Sequence, residues 1–284
     1  MSDRQQLAVI GTGAIAAEIS NAVRHSTDYA LTGNVEPGEA LPAGTQVVIS
    51  VARGADQLTV LESATGAGLP VATLPLETTD DAARAALSHG RVVQVSPLRG
   101  YDALEAFRAD VRNGATGKPY GIFGAHRVRQ GYANLFENVG LPLLHFAFEL
   151  FDEPLIRVQT TRTTLFGTAN DSWFIIARGE RDLLITLEFA ASLAASAPAP
   201  EQILFEATGE GAVLRVEPTR QVLMVSGHNG ATQDIAWWPD AAPVFVDAAV
   251  QTTGIHEPGR ELAFLDFVAA VRKSAENGQP VDLR

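Results

Sequence analysis

The sequence has no cysteine, so disulfides, thiolate-bound zinc and thiol nucleophiles are excluded. Cations are scarce: 21 Lys and Arg stand against 33 Asp and Glu, a formal charge of −12. The lysines are Lys118 and Lys273 alone. A sequence-independent grip on nucleic acid needs clustered Lys and Arg, so nucleic acid is not expected as a partner. No apolar run reaches the roughly 18 residues of a membrane span, so no membrane partner is expected either. Residues 1–6 are polar and lead straight into an apolar run, leaving no room for a signal peptide; a soluble, cytoplasmic protein is predicted. Neither Gly-x-Ser-x-Gly nor Gly-Lys-Ser/Thr occurs, which removes two familiar routes to a hydrolase or an NTPase. Asp152-Glu153 and the scattered histidines lack metal-ligand spacing, and no metal is expected.

What remains is a globular composition, 46% hydrophobic and 19% charged over 284 residues, long enough for two cores. Its most informative stretch is Leu7-Ala8-Val9-Ile10-Gly11-Thr12-Gly13-Ala14-Ile15-Ala16. Four apolar residues lead into Gly11-x-Gly13-x-x-Ala16, and the residues up to about His25 can form a helix. Such a strand-to-helix turn suits a dinucleotide pyrophosphate. Gly11 permits the tight turn, Gly13 leaves room for the phosphates, and Ala16 lets helix and strand pack closely. Backbone N–H groups of Thr12, Ala14 and Ile15 and the positive end of the helix dipole would face the anion. A second strand, Tyr29 to Val35, ends at Glu36, where a carboxylate would accept the adenosine ribose hydroxyls and repel a 2'-phosphate. This favours NAD, with NADP possible. The alternative is that Glu36 is a solvated turn residue before Pro37-Gly38.

The link Pro37 to Thr45 is too short for a crossover helix, so the unit is trimmed before the strand Gln46 to Val51, whose Ser50 ends at the cofactor edge. A helix from Ala55 to about Ala67, a strand Pro70–Leu74, a helix capped by Thr78 or Thr79 and ended at Gly90, and a strand Arg91–Ser96 follow. This alternation predicts a parallel sheet with helices on both faces. After a helix from Asp102 to Asn113 the spacing turns to period two. Leu183, Ile185, Leu187 and Phe189 share one face, and Leu184, Thr186, Glu188 and Ala190 the other. Similar strands are expected at 122–129, 156–165, 173–177, 203–208, 213–216, 221–225 and 233–238, giving an open, mostly antiparallel sheet. Two helices, near Leu141 to Phe151 and Gly259 to Ala275, interrupt it. Ala190 to Pro200 reads as an exposed loop. The division expected is 1–117 for an α/β Rossmann domain and 118–284 for an α+β domain, with the last helix able to pack back on the first.

This order of parts resembles the glucose-fructose oxidoreductase / inositol dehydrogenase (Gfo/Idh/MocA) family. The similarity rests on Val9 to Ala16, on Val47-Val48-Ile49-Ser50, on Pro75-Leu76-Glu77-Thr78-Thr79 before a helix, on Arg99 through Gly114-Ala115-Thr116-Gly117-Lys118-Pro119, and on Phe264, Phe267 and Val268. The resemblance implies a nicotinamide cofactor, a small-molecule substrate and an oligomer contact through the antiparallel sheet. It also implies a Glu-Lys-Pro after the family's fifth strand and an Asp-x-Gly-x-His-x-x-Asp in the second domain. Here Leu74 stands at the lysine, and Leu141 and Phe148 at the aspartates; His145 alone matches.

His145 could take the hydroxyl proton as hydride leaves. It lies in an apolar stretch, with Glu149 read as off its helical face, so a hydrogen-bonded core histidine is the alternative. Arg99 and Tyr101, just past the strand 91–96, are candidates for holding substrate; for Arg99 the alternative is a surface ion pair. Arg127 and Arg129 fall on one strand face and His126 on the other, so they are not expected to serve one site, and a solvated sheet edge accounts for them. Trp237-Trp238 reads as packing. Two functions follow: an NAD(P)-dependent oxidoreductase of a small polyhydroxylated or carbonyl substrate, or a catalytically degenerate relative acting as a structural or regulatory subunit, as a homo-oligomer or beside an active paralogue.

Overall fold

The computed structural model describes residues 4–89, 91–167, 170–220, 222–227, 241–254 and 257–283. The chain divides into two compact units, Met1–Gly100 with Asp240–Leu265 and Tyr101–Pro239 with Asp266–Arg284.

The first unit opens with β1 (Gln5–Ile10), α1 (Gly13–His25), β2 (Tyr29–Val35), β3 (Val47–Ser50), α2 (Ala55–Gly66), β4 (Val71–Thr73), α3 (Asp81–His89) and β5 (Val92–Gln94). The strands lie in the order β2-β1-β3-β4-β5, all pairs parallel. Strands β3 and β4 are wholly buried because both sheet faces are covered. Leu7, Val9 and Ile49 meet Ala16, Ile19 and Val23 of α1 on one side. Val48, Val71 and Val92 meet Leu61 of α2 and Leu87 of α3 on the other. No helix lies between β2 and β3, as the short link predicts. The cap of α3 is Asp80 rather than Thr78 or Thr79: Asp80 Oδ1 accepts the Ala83 N–H at 2.9 Å, while Thr78 Oγ1 donates to Asp80 Oδ2.

A 3₁₀ turn, Pro97–Gly100, ends the first stretch of this unit. The second unit continues with α4 (Asp102–Arg112), β6 (Pro119–Arg129), a π-helical turn Phe136–Gly140 running into α5 (Leu141–Phe148), β7 (Leu155–Thr163), β8 (Ser172–Gly179), β9 (Leu184–Leu193), β10 (Glu201–Gly209), β11 (Ala212–Glu217) and β12 (Val222–Gly227). The chain then returns to the first unit through α6 (Ala241–Thr253). It ends with α7 (Pro258–Asn277), which starts in the first unit and finishes in the second, and β13 (Val281–Asp282).

The second sheet has eight strands in the order β12-β11-β10-β6-β9-β8-β7-β13. Only the β6–β9 pair is parallel. Its period-two reading holds. Ile185, Leu187 and Phe189 are buried, while Leu184 is exposed with Phe174 and Ile176 on the opposite face. Gly140 packs so tightly on the Phe189 ring that a Cβ there would lie 2.6 Å from it.

Three further expectations change. Strand β6 lies between β10 and β9 in the middle of the sheet, so His126 is not at a solvated edge but buried. The segment 190–200 is not all loop. Strand β9 runs to Leu193, and Ala190 and Ala191 are buried because Ser172 and Arg127 pair alongside and Ala191 N–H donates to Asp171 O. Helix α6 has no counterpart in the sequence reading. Its apolar residues occur at nearly every position, which hides the helical period, yet Phe245, Val246, Ala249 and Val250 join the core around Leu7 and Val9. The strand expected at 233–238, the pair Trp237-Trp238 and the helix end at Gly90 lie outside the described residues.

Candidate cofactor and active site

The glycine turn has the geometry its sequence predicts. Gly11 has φ +146°, donates its N–H to Val35 O at 3.1 Å, and packs so closely that a Cβ would meet Val51 Cγ2 at 2.7 Å. Gly13 begins α1 at φ +82°, and a Cβ there would have nothing within 4 Å: it would project into open space above the turn. Thr12 is the extended N-cap residue but makes no side-chain cap, and the first turn holds no acid. No side chain thus caps the first N–H groups of α1, the groups that can receive an anion at a helix start. Thr12, Ala14 and Ile15 are exposed, whereas Ala16 is buried against the sheet.

Glu36 is exposed at the end of β2, beside β1. Its N–H donates to Glu39 Oε2 at 2.9 Å, so the turn gathers a second carboxylate that the sequence reading passed over. Ser50 ends β3 fully buried, its Oγ accepting the Ala52 N–H at 3.4 Å.

Leu74 is 2% exposed and sits in the core with Val93, Val95 and Phe245. The loop it begins is held by buried amides. Gln57 Nε2 donates to Leu74 O and Pro75 O, Gln57 Oε1 accepts Glu77 N–H, and Gln94 Oε1 accepts Leu76 N–H at 2.8 Å. Gln94 in turn donates through N and Nε2 to Glu261 of α7. Glu77 accepts Gly54 N–H at 3.0 Å and pairs with Arg53. Arg99 is not at the surface: it is buried in the turn after β5 and donates to Thr252 Oγ1 of α6 at 2.6 Å.

In the second unit every residue of α5 is buried. His145 is 4% exposed, and its Nδ1 lies 3.9 Å from Glu149 Oε2. This corrects the sequence reading. Residues four apart share a helical face, and the i,i+4 spacing was the signal available. Leu141 and Phe148 are buried packing residues, Phe148 stacking on Phe267.

Tyr101 belongs to a cluster the sequence did not reveal. Its hydroxyl donates to Glu201 Oε1 at 2.5 Å, and His126 Nε2 lies 2.8 Å from Glu201 Oε2. The sheet makes this meeting possible, because β10 pairs with β6 so that Glu201 lies opposite Val128 and shares its face with His126. Burial pushes the Glu201 carboxyl up, but hydrogen bonds from His126 and Tyr101 and the His126 charge outweigh it and hold it below the ordinary range. Burial, then the Glu201 charge and hydrogen bond, drive the Tyr101 hydroxyl well above its ordinary value. Arg127, on the opposite face, forms a two-pronged pair with Glu188. Arg99 with the glycine turn, and His145 with Tyr101, therefore fall in different units. Among the described residues no His, Asp and Glu gather as a metal site, and no helix is long and apolar enough to cross a membrane.

No protein-family model matches the sequence, and no curated protein is significantly similar to it. Solved structures do match over the whole chain. An oxidoreductase from Sinorhizobium meliloti has a TM-score of 0.80 at 12% identity, covering 99% of this chain and 100% of its own. One from Agrobacterium radiobacter, crystallised with NAD+, L-tartaric acid and magnesium, gives 0.78 at 16% identity, with 99% and 98% covered. A myo-inositol dehydrogenase from Corynebacterium glutamicum gives 0.77 at 16% identity, with 99% of each chain covered. With its parallel five-stranded unit and its mixed eight-stranded sheet, the chain has the two-domain fold of the Gfo/Idh/MocA oxidoreductases.

Proposed function

We propose that the protein is an NAD(P)-dependent oxidoreductase that moves a hydride to or from a small polyhydroxylated or carbonyl substrate. The observation that carries this reading is the turn at Gly11–Ile15. Gly11 is forced by the approach of Val51, while Gly13 keeps open the space a Cβ would fill above uncapped N–H groups. Packing accounts for Gly11; at Gly13 the positive φ favours glycine, and the absence of any neighbour within 4 Å leaves the space above the turn for a ligand. When bound, the nicotinamide supplies the hydride acceptor or donor. The N-terminal N–H groups of α1 hold its pyrophosphate, and Glu36, with Glu39 beside it, takes the ribose hydroxyls and disfavours a 2'-phosphate. One solved neighbour was crystallised with NAD+ and another is described as NADPH-dependent, so the choice of NAD is argued from Glu36 alone.

His145 is the proposed acid/base. It would accept the hydroxyl proton, with the Glu149 carboxylate 3.9 Å away stabilising the imidazolium that forms. Arg99, bonded to Thr252, is proposed to brace the turn after β5, and Tyr101 to place the Glu201 carboxylate. Leu74, Leu141 and Phe148 favour a second reading, a non-catalytic relative, because each is a buried apolar residue at a position where the resemblance implies a polar one.

Screening sugars, cyclitols and hydroxy acids for NAD+ reduction separates the two. The enzyme reading expects turnover with at least one class and a kcat lowered about 10²–10⁴-fold in His145→Ala. Turnover unchanged by that substitution removes His145 from the mechanism. NADH binding without turnover on any class leaves the non-catalytic reading.

A further inference from the structure

A cavity of about 330 Å³ lies in the second unit among β7, β8, the π-helical turn and the end of α7. That is within the range of small-molecule sites, roughly 300–1,000 Å³. Its walls are two aromatic rings in contact, Phe136 and Trp173, with centroids 4.9 Å apart. Each ring carries a guanidinium: Arg272 stands 4.9 Å over Phe136, and Arg162 stands 5.8 Å over Trp173. Stacking of this kind fixes the planar fork before any ligand arrives.

The two arginines differ in what they face. Arg272 lies 3.6 Å from Glu137, which shares the cavity. Arg162 forms no ion pair among the described residues. A second carboxylate, Asp171, is buried and turned to the backbone, its two oxygens accepting the Leu165 and Phe166 N–H groups at 2.7 Å each. Glu276, the remaining charge of the lining, is exposed on α7. The site therefore offers one guanidinium fork for a single negative charge, acceptors beside it, and the half-exposed Tyr132 ring as a platform.

We propose that this cavity binds a polyhydroxylated monocarboxylate, a sugar acid. The carboxylate is received by Arg162, the hydroxyls by Glu137 and neighbouring polar groups, and a C–H face by the Tyr132 ring. One unpaired cation suits a carboxylate rather than a phosphate dianion, and the carboxylates of the lining suit hydroxyls rather than further charge. The proposal does not depend on the dehydrogenase reading, and a bound acid serves as substrate or as effector.

Titration calorimetry with D-glucuronate, D-gluconate and D-glucose, without cofactor, tests it. Either acid should bind at least roughly tenfold more tightly than glucose, the scale of a charge-assisted hydrogen-bonded pair. Arg162→Ala should abolish that preference, and Arg178→Ala should keep it, because Arg178 lies on the opposite sheet face paired with Asp182. Arg162 is exposed, so its substitution spares the core. The site is overturned if neither acid binds, if glucose binds as well as the acids, or if Arg162→Ala binds the acids as the parent does. Reduction of NAD+ upon adding the acid marks a substrate; binding without reduction marks an effector. NADH affinity, measured separately, should be the same in Arg162→Ala, which keeps the two claims apart.

Discussion

Gly11 and Gly13 are both glycines with positive φ, yet they answer different needs. Gly11 is required by its neighbour, since Val51 leaves no room for a Cβ; Gly13 has only empty space beside it. Gly13→Ala should therefore lower NADH affinity about tenfold or more while costing stability only the ~1–2 kcal/mol of a left-handed residue. Parallel fluorescence titration and thermal melts check this, and an equal loss in both would make Gly13 merely structural. Glu201 offers a second test. Its folded carboxyl lies below its ordinary value, so the stability it contributes is present above the unfolded pKa and is lost as pH falls through the folded one. Melting temperatures measured downward from about pH 5 should fall less steeply in Glu201→Gln than in the parent. At this scale local chemistry was legible and convergence was not. The glycine turn and Glu36 announce themselves within a few neighbours, but Tyr101 and Glu201 are separated by 100 residues and meet only through sheet register.

The loop after β4 shows how buried amides fix the course of an element. Gln57, Gln94 and Glu261 satisfy the backbone of residues 74–77 from α2, β5 and α7, so the loop keeps a fixed course. Leu74 on that loop faces the core among Val93, Val95 and Phe245. Leu74→Lys is therefore expected to destabilise the protein by about 4 kcal/mol or more, as a buried unpaired charge does. Chemical denaturation measures this; a fully stable, more active variant would show that the loop can turn its side chain outward. Elements with a clear period were legible in sequence, such as the alternation of β9. Helix α6 was not, since apolar residues at nearly every position hide its period, and neither was the π-helical turn before α5, where Gly140 fits against Phe189.

For the whole molecule, the order of strands and helices gave away the fold, because each unit's sheet is written in the spacing of its apolar residues. The chemistry was less legible, because the glycine turn lies in one unit and His145 in the other. The central claim is that the first unit holds a dinucleotide at its glycine turn and selects NAD through Glu36. Fluorescence titration of the purified protein with NADH and NADPH tests it most directly. The account predicts saturable NADH binding with a dissociation constant below about 1 mM and NADPH binding weaker by about tenfold. Absence of binding by either cofactor would contradict it.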